Sequence, residues 1–139
     1  MKLFLRAWMA FHVWIYRLTG GRLGGSIMGL RVLLLHTTGR KSGKAYTTPL
    51  GFYEQAEGYL LAGSNGGRPV HPAWYLNLIS KPQTTVQIGG KVIPVTAEAL
   101  AGEAREQGWQ QVITAAPNYA NYQKKTTRQI PVVLLRPAK

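Results

Sequence analysis

The sequence predicts one mainly β domain with added helices, an α+β fold whose short strands run antiparallel and close into a small barrel. Three observations carry this. The chain has 139 residues, of which 45% are hydrophobic, enough for one real core and too much for disorder. Its apolar runs are short and rich in β-branched residues, with glycine and proline between them. Several of the joining segments are tight turns, which suit antiparallel neighbours and not parallel ones. Closing such a sheet removes its exposed edges and leaves a groove at the rim.

In order, "MKLFLRAWMAFHVWIYRLTG" opens the chain. At about 100° per residue, Lys2, Arg6 and Arg17 fall within about 60° of one another, while Phe4, Trp8, Phe11, Ile15 and Leu18 gather opposite. This predicts an N-terminal amphipathic helix whose aromatic-rich face suits a membrane interface and equally suits packing on protein. Its uncharged run is too short to span a bilayer, and no small-residue cleavage site follows. Gly20, Gly21, Gly24 and Gly25 form a hinge, so residues 1–25 are expected to stand before a domain of residues 26–139. "RVLLLHTT" (31–38) reads as a buried strand, "GRKSGK" as a turn, and "AYTTPLGFY" (45–53) as a second strand in which Pro49 implies an edge or a bulge. "YLLAGS" (59–64) is a third strand. After the loop "NGGRP", prolines open the short helix "PAWYLNLIS". "TTVQIGGKVIPVTAEAL" predicts a hairpin across Gly89-Gly90. "AGEAREQGWQQVITAA" is helical with Trp109, Val112 and Ile113 as its apolar stripe, and "IPVVLL" (130–135) is the last strand.

Lys and Arg number 17 against 5 acids, a net charge of +12, and Asp and Cys are absent. The excess implies an anionic partner: nucleic acid, a membrane surface or a phosphorylated small molecule. Without Cys there are no disulfides or thiolate chemistry, and His12, His36 and His71 lack metal-ligand spacing, so no metal site is expected. A Ser-His-Asp triad has no Asp.

Three stretches carry chemistry. In "TTGRKSGK", Gly39 and Gly43 let backbone N–H groups approach an anion, Ser42 adds a hydroxyl, and Arg40, Lys41 and Lys44 add charge. The spacing is not that of a Walker A loop. Phosphate cradle and solvated basic turn both remain open on these residues alone. "LLAGSNGGRPVHPAWYLNL" runs a strand end into a glycine loop and then a helix. Gly63, Ser64, Asn65 and Gly66 could meet a flat ring, with Trp74 as its wall or as a core residue. In "PNYANYQKKTTRQ", Tyr119 and Tyr122 share one face of a helical turn and suit either a substrate groove or rim packing.

Together, "TTGRKSGKAYTTPL", "GSNGGRPVHPAWYLNL", "VQIGGKVIPVTA" and "NYANYQKKTTRQIPVVLL" resemble the deazaflavin-dependent nitroreductase and quinone reductase family, which uses coenzyme F-420. The resemblance covers roughly residues 30 to 137. It implies a split β-barrel of the FMN-binding split-barrel type and hydride transfer from reduced deazaflavin to a quinone, nitroaromatic or similar acceptor. It further implies that Arg40, Lys41 and Ser42 hold the cofactor phosphate, with Lys44 as an extra cation. Tyr46, Thr47, Thr48, Pro49, Leu50 and Gly51 would run beside the deazaflavin, and Ala62, Gly63, Ser64 and Asn65 would line its ring. Ala73, Trp74, Tyr75, Leu76 and Asn77 would form the opposite wall and the ribityl contacts. Ser64, Tyr119 and Tyr122 are the expected catalytic residues, placed to stabilise charge on the acceptor. The sequence departs from the family pattern at Gly51 after Pro49-Leu50, at Asn65 after Ser64 and at Ala116 before Pro117, which bears on the acceptor pocket.

The expected partners are a small-molecule acceptor and, through residues 1–18, the cell membrane, in a cytoplasmic protein peripheral on its inner face. No nucleic acid is expected, and a homodimer is compatible with the sequence. FMN is the alternative cofactor, since the two share the ring and the ribityl phosphate. The rival readings are an FMN-binding split-barrel reductase and a non-catalytic basic protein that binds nucleic acid or membrane.

Overall fold

A computed structural model describes residues 26–27 and 30–138. The expected amphipathic helix and glycine hinge lie outside the described residues. After a two-residue strand, β1 (Ser26–Ile27), β2 (Leu30–Thr38) and β3 (Ala45–Gln55) form a long hairpin in register from Arg31↔Phe52 to Thr38↔Ala45. Then follow β4 (Gly58–Ala62), α1 (Ala73–Ser80), β5 (Gln83–Ile88), β6 (Lys91–Ala99), α2 (Gly102–Ala115), α3 (Asn118–Lys124) and β7 (Val132–Pro137). The sheet order is β1-β2-β3-β4-β7-β6-β5, every pairing is antiparallel, and β5 returns to β2 at Leu34↔Gln87 and Leu35↔Val86. Strands β2 to β7 therefore close a six-stranded barrel, as the turns and the resemblance predicted.

The apolar runs are continuous where both faces of a strand are buried. In β7, Val133 and Leu135 join one core with Leu33, Leu35, Phe52, Leu61, Leu78, Val86 and Val95. Val132 and Leu134 point the other way, into a second core with Leu60, Trp109, Val112 and Ala116 beneath α2. Each fully buried leucine contributes about 1.5–3 kcal/mol. The predicted stripe on α2 is observed: Trp109 and Val112 are buried and Ile113 packs beside them. Arg105, also buried, reaches across from α2 to donate from Nη2 to the Ile130 carbonyl at 2.6 Å and lies over the Trp109 ring.

The feature that positions the site is a split. β4 pairs with β3 only over Tyr53–Gln55, at Tyr53↔Leu60 and beyond toward the turn. Continuing that register would set Gly51 opposite Ala62 and Pro49 opposite Ser64, and neither pair forms. Residues 45–52 of β3 are thus paired on one side alone, which is why a proline is tolerated at position 49. The strand expected over 59–64 ends at Ala62, because Gly63 leaves the ladder and the backbone then coils into a 3₁₀ turn over Asn65–Gly67. The strand expected over 130–135 is shifted to Val132–Pro137. Pro131 has no N–H for a ladder, and its carbonyl accepts from Gly63 N–H at 2.9 Å instead.

Candidate active site

One end of the split holds a groove of about 390 Å³ lined by Thr37, Gly39, Arg40, Lys41, Ser42, Tyr46, Thr48, Ala73, Trp74 and Asn77. It joins the basic turn to the tryptophan helix, two of the three stretches singled out above. Strand alternation explains why Tyr46 and Thr48 face it while Thr47 and Pro49 do not. Helical spacing explains Ala73, Trp74 and Asn77, at i, i+1 and i+4, while Tyr75 and Leu76 turn off that face. Tyr75 packs edge-on against Trp74, with ring centroids 6.3 Å apart, and against the barrel core.

The basic turn is tightly built. Gly43 N–H donates to the Gly39 carbonyl and Gly39 N–H to the Lys44 carbonyl, both at 2.8 Å. Gly43 sits at φ +71, where a side chain is disfavoured. A Cβ on Gly39 would stand 2.5 Å from Ser42 Oγ and 2.9 Å from the Tyr46 ring. The absence of side chain at 39 is what lets the turn fold back over Tyr46. The Arg40 N–H and its Nη1 both donate to Asn77 Oδ1, at 3.2 and 2.9 Å. Asn77 is buried, so its carbonyl oxygen is engaged by Arg40, and it acts as the tie between turn and helix. The N–H groups of Lys41 and Ser42 have no partner among the described residues. Two free N–H groups, a serine hydroxyl and three exposed cations without a carboxylate partner among the described residues make an anion seat. The seat fits a phosphate. Thr37, which the sequence did not single out, is buried under the groove with its hydroxyl unpartnered among the described residues.

The glycine loop follows β4 directly. Asn65 takes the left-handed conformation at φ +48, which asparagine tolerates better than lysine or a bulky residue, and its Nδ2 donates to the Val70 carbonyl at 3.1 Å. The departure at this position therefore has a backbone reason. Gly63 and Gly67 are buried; a Cβ on Gly67 would strike the Tyr122 carbonyl at 2.8 Å, so the loop rests on α3. Arg128 holds the loop from behind, through carbonyls of Gly63, Ser64 and Arg68 and through His71. Nothing in the sequence flagged that residue. His71 is pushed below its ordinary pKa, by burial first and by the adjacent guanidinium second.

Tyr119 and Tyr122 do share a helical face, edge to face with centroids 5.4 Å apart. They do not line the basic groove; both pack against the second core. Burial pushes the Tyr119 phenol up from its ordinary pKa and pushes the neighbouring Tyr53 phenol well up, with Tyr119 adding to the latter. Neither is a phenolate near neutral pH, so each can serve as an O–H donor and not as a base. Ala116, another of the three departures, is buried in that same core.

A closed antiparallel barrel, split beside its longest strand and carrying an anion seat at one end of the split, defines the split β-barrel class. A FAD-binding protein of Mesorhizobium loti shares this fold at 14% identity and a TM-score of 0.52, over 76% of this chain and 78% of its own. The chain belongs to the F420H(2)-dependent quinone reductase family, whose model matches residues 8–137. An F420H(2)-dependent quinone reductase of Mycobacterium tuberculosis strain H37Rv is 40% identical over 131 residues, covering 91% of this chain and 88% of that protein. A solved F420-H2 dependent reductase is 45% identical with a TM-score of 0.69, over 76% of this chain and 93% of its own.

Proposed function

We propose that the groove holds coenzyme F-420 and that the protein uses its reduced form to reduce a quinone-type acceptor. The observation that carries the reading is the groove's lining: an uncompensated anion seat at Arg40–Ser42 and an indole wall at Trp74 share one cavity. Membership of the quinone reductase family supports the choice of F-420 over FMN.

When bound, the reduced cofactor supplies a hydride from its deazaflavin ring. The protein's own work is geometric and electrostatic. Arg40, pinned by Asn77, is oriented before any ligand arrives, so little side-chain order is lost on binding. Lys41, Ser42 and the two free N–H groups take phosphate oxygens, and Lys44 extends the positive track toward a carboxylate tail. Ala73 and Trp74 exclude water from one ring face, with Tyr46 and Thr48 on the strand side. In this reading the catalytic contributors are Ser64, Tyr119 and Tyr122, donating hydrogen bonds to the acceptor oxygen as charge builds there. Burial holds the Tyr119 phenol above its ordinary pKa, so it stays protonated for that role.

Parallel titration with F-420, FMN and FAD tests the reading. F-420 should bind and quench Trp74 fluorescence, and the quench should vanish in Trp74→Phe. Tight FMN binding with none for F-420 would overturn the cofactor assignment. We also read residues 1–18 as a peripheral contact with the inner face of the cell membrane. Flotation of the full chain with anionic vesicles, against a chain lacking residues 1–20, tests it; equal flotation of both would remove the contact. No helix among the described residues is long and apolar enough to cross a membrane.

A further inference from the structure

The loop from Gly63 to His71 has little structure of its own. Gly67 N–H donates to the Ser64 carbonyl at 2.9 Å and Arg68 N–H to the Asn65 carbonyl at 3.2 Å. Asn65, Gly66 and Gly67 follow one another at φ +48, +65 and +80. A glycine-rich stretch of this kind loses much conformational freedom when fixed, and something must fix it.

Arg128 does so at four points. Its Nη2 donates to the Ser64 carbonyl at 2.7 Å, Nη1 to the Gly63 carbonyl at 3.2 Å, and Nε to the Arg68 carbonyl at 3.0 Å. Nη1 also lies 2.9 Å from His71 Nδ1. No carboxylate forms an ion pair with Arg128 among the described residues. The guanidinium is therefore spent on neutral acceptors of one loop, and only a rigid planar fan of five N–H groups can reach them together. Arg128 is itself held on both flanks by Gln123: Nε2 donates to the Arg128 carbonyl at 2.8 Å, and Oε1 accepts from Ile130 N–H at 2.9 Å.

We propose that Arg128 is a positioning residue for the cofactor ring: it sets the Gly63–His71 loop, which leads into Trp74, and recruits His71 only as a neutral imidazole. The link to the cofactor rests on the reading of the groove given above. A guanidinium cannot accept a hydrogen bond, so the short contact needs a lone pair on Nδ1, which places the ring proton on Nε2. Protonating His71 removes that contact and sets two cations against each other. The groups that face His71 are Arg128, from the segment before β7, and Tyr75, from α1, with ring centroids 5.0 Å apart.

The experiment compares wild type with Arg128→Gln, Arg128→Lys and His71→Gln. The first readout is amide hydrogen exchange in the ligand-free protein. Both Arg128 variants should exchange about tenfold faster over residues 64–70, with β2 and β7 unchanged. The second is F-420 affinity between about pH 5 and 8. Wild type should bind more weakly as pH falls, and H71Q should bind as wild type does at pH 8 but lose that additional weakening. Comparing the two cancels the ligand's own titrations. R128Q should bind about tenfold more weakly at every pH, and R128K should recover part of the loss. Unchanged exchange over 64–70 in the Arg128 variants, or one shared pH profile for wild type and H71Q, would overturn the proposal. If R128Q fails to fold, R128K and H71Q decide the same points. If wild type binds no F-420, the groove assignment and the cofactor link fall together, while exchange still decides whether Arg128 sets the loop.

Discussion

The two turns that flank β3 are both crowded with charge and are finished in opposite ways. They lie roughly 30 Å apart, the length of an eleven-residue strand. At the far turn, Glu54 pairs with Arg31, and Arg136 reaches both Glu57 and Glu98. Gln111 of α2 ties that end down by donating to the Glu54 carbonyl at 2.9 Å. At the near turn, Arg40, Lys41 and Lys44 have no carboxylate partner among the described residues, and two backbone N–H groups stand open beside them. The protein's acids are few, and the far face takes three of the five. Among the described residues the charge is thus paired at the far turn and left without carboxylate partners at the near turn, where the proposed anion would dock. A glycine serves each turn, and the same division applies. Gly58 makes room for the strand behind it, and Gly39 makes room for the seat.

Substitutions can break this contrast. Gly58→Ala should have the largest effect on folding: its Cβ would lie 2.0 Å from the Leu135 backbone oxygen, which cannot yield without opening β4–β7. A loss of about 3 kcal/mol or more is expected in urea unfolding, or no soluble protein at all. The double variant Arg40→Ala, Lys41→Ala should lower stability by about 1 kcal/mol through the lost bond to buried Asn77 and weaken F-420 binding about 100-fold by titration, since each charge-assisted bond contributes roughly 1.5–3 kcal/mol. Unchanged affinity would show that the anion docks elsewhere. Gly39→Ala should weaken binding by about tenfold through displacement of Ser42 and Tyr46, with a smaller change in Tm. Arg136→Ala sharpens the contrast from the other side: F-420 affinity should stay as in wild type, and Tm should move little, because exposed ion pairs stabilise weakly.

The smallest expected effect is on the pH dependence of stability. The pKa of His71 is lowered from 6.5 in the fold, so as pH falls below about 6.5 the unfolded chain takes up a proton first. Stability is complete above that pH and declines below it. Tm measured at about pH 7.5 and pH 5.5 should drop more in wild type than in His71→Gln.

Much of this was legible in the sequence because it is local. The apolar run at 31–38, the glycine pair at 89–90 and the stripe on α2 are periodic signals within a short window, and each appears where the pattern placed it. Pro49 announced an edge or a bulge, and the edge is what forms, at the split. The basic turn announced itself by composition. What stayed hidden depends on residues far apart in the chain. That Asn77, besides lining the groove, ties down Arg40 through its carbonyl oxygen depends on a partner 37 positions away. Arg128 gave no signal, because its acceptors are backbone carbonyls about 60 positions upstream, and a carbonyl leaves no mark in composition. The position of Tyr119 was readable as a helical face, but its packing against the second core depends on Tyr53 and α2.

The barrel's closure is its thinnest joint. Strands β2 and β5 meet through two residue pairs, against eight between β2 and β3 and six between β5 and β6. Those two hairpins can form from neighbouring residues, whereas the seam must gather segments separated by some fifty positions before it gains anything in return. With so few backbone pairs at the seam, the burial of Leu34 and Leu35, both fully enclosed, adds apolar contact to what the ladder alone supplies there.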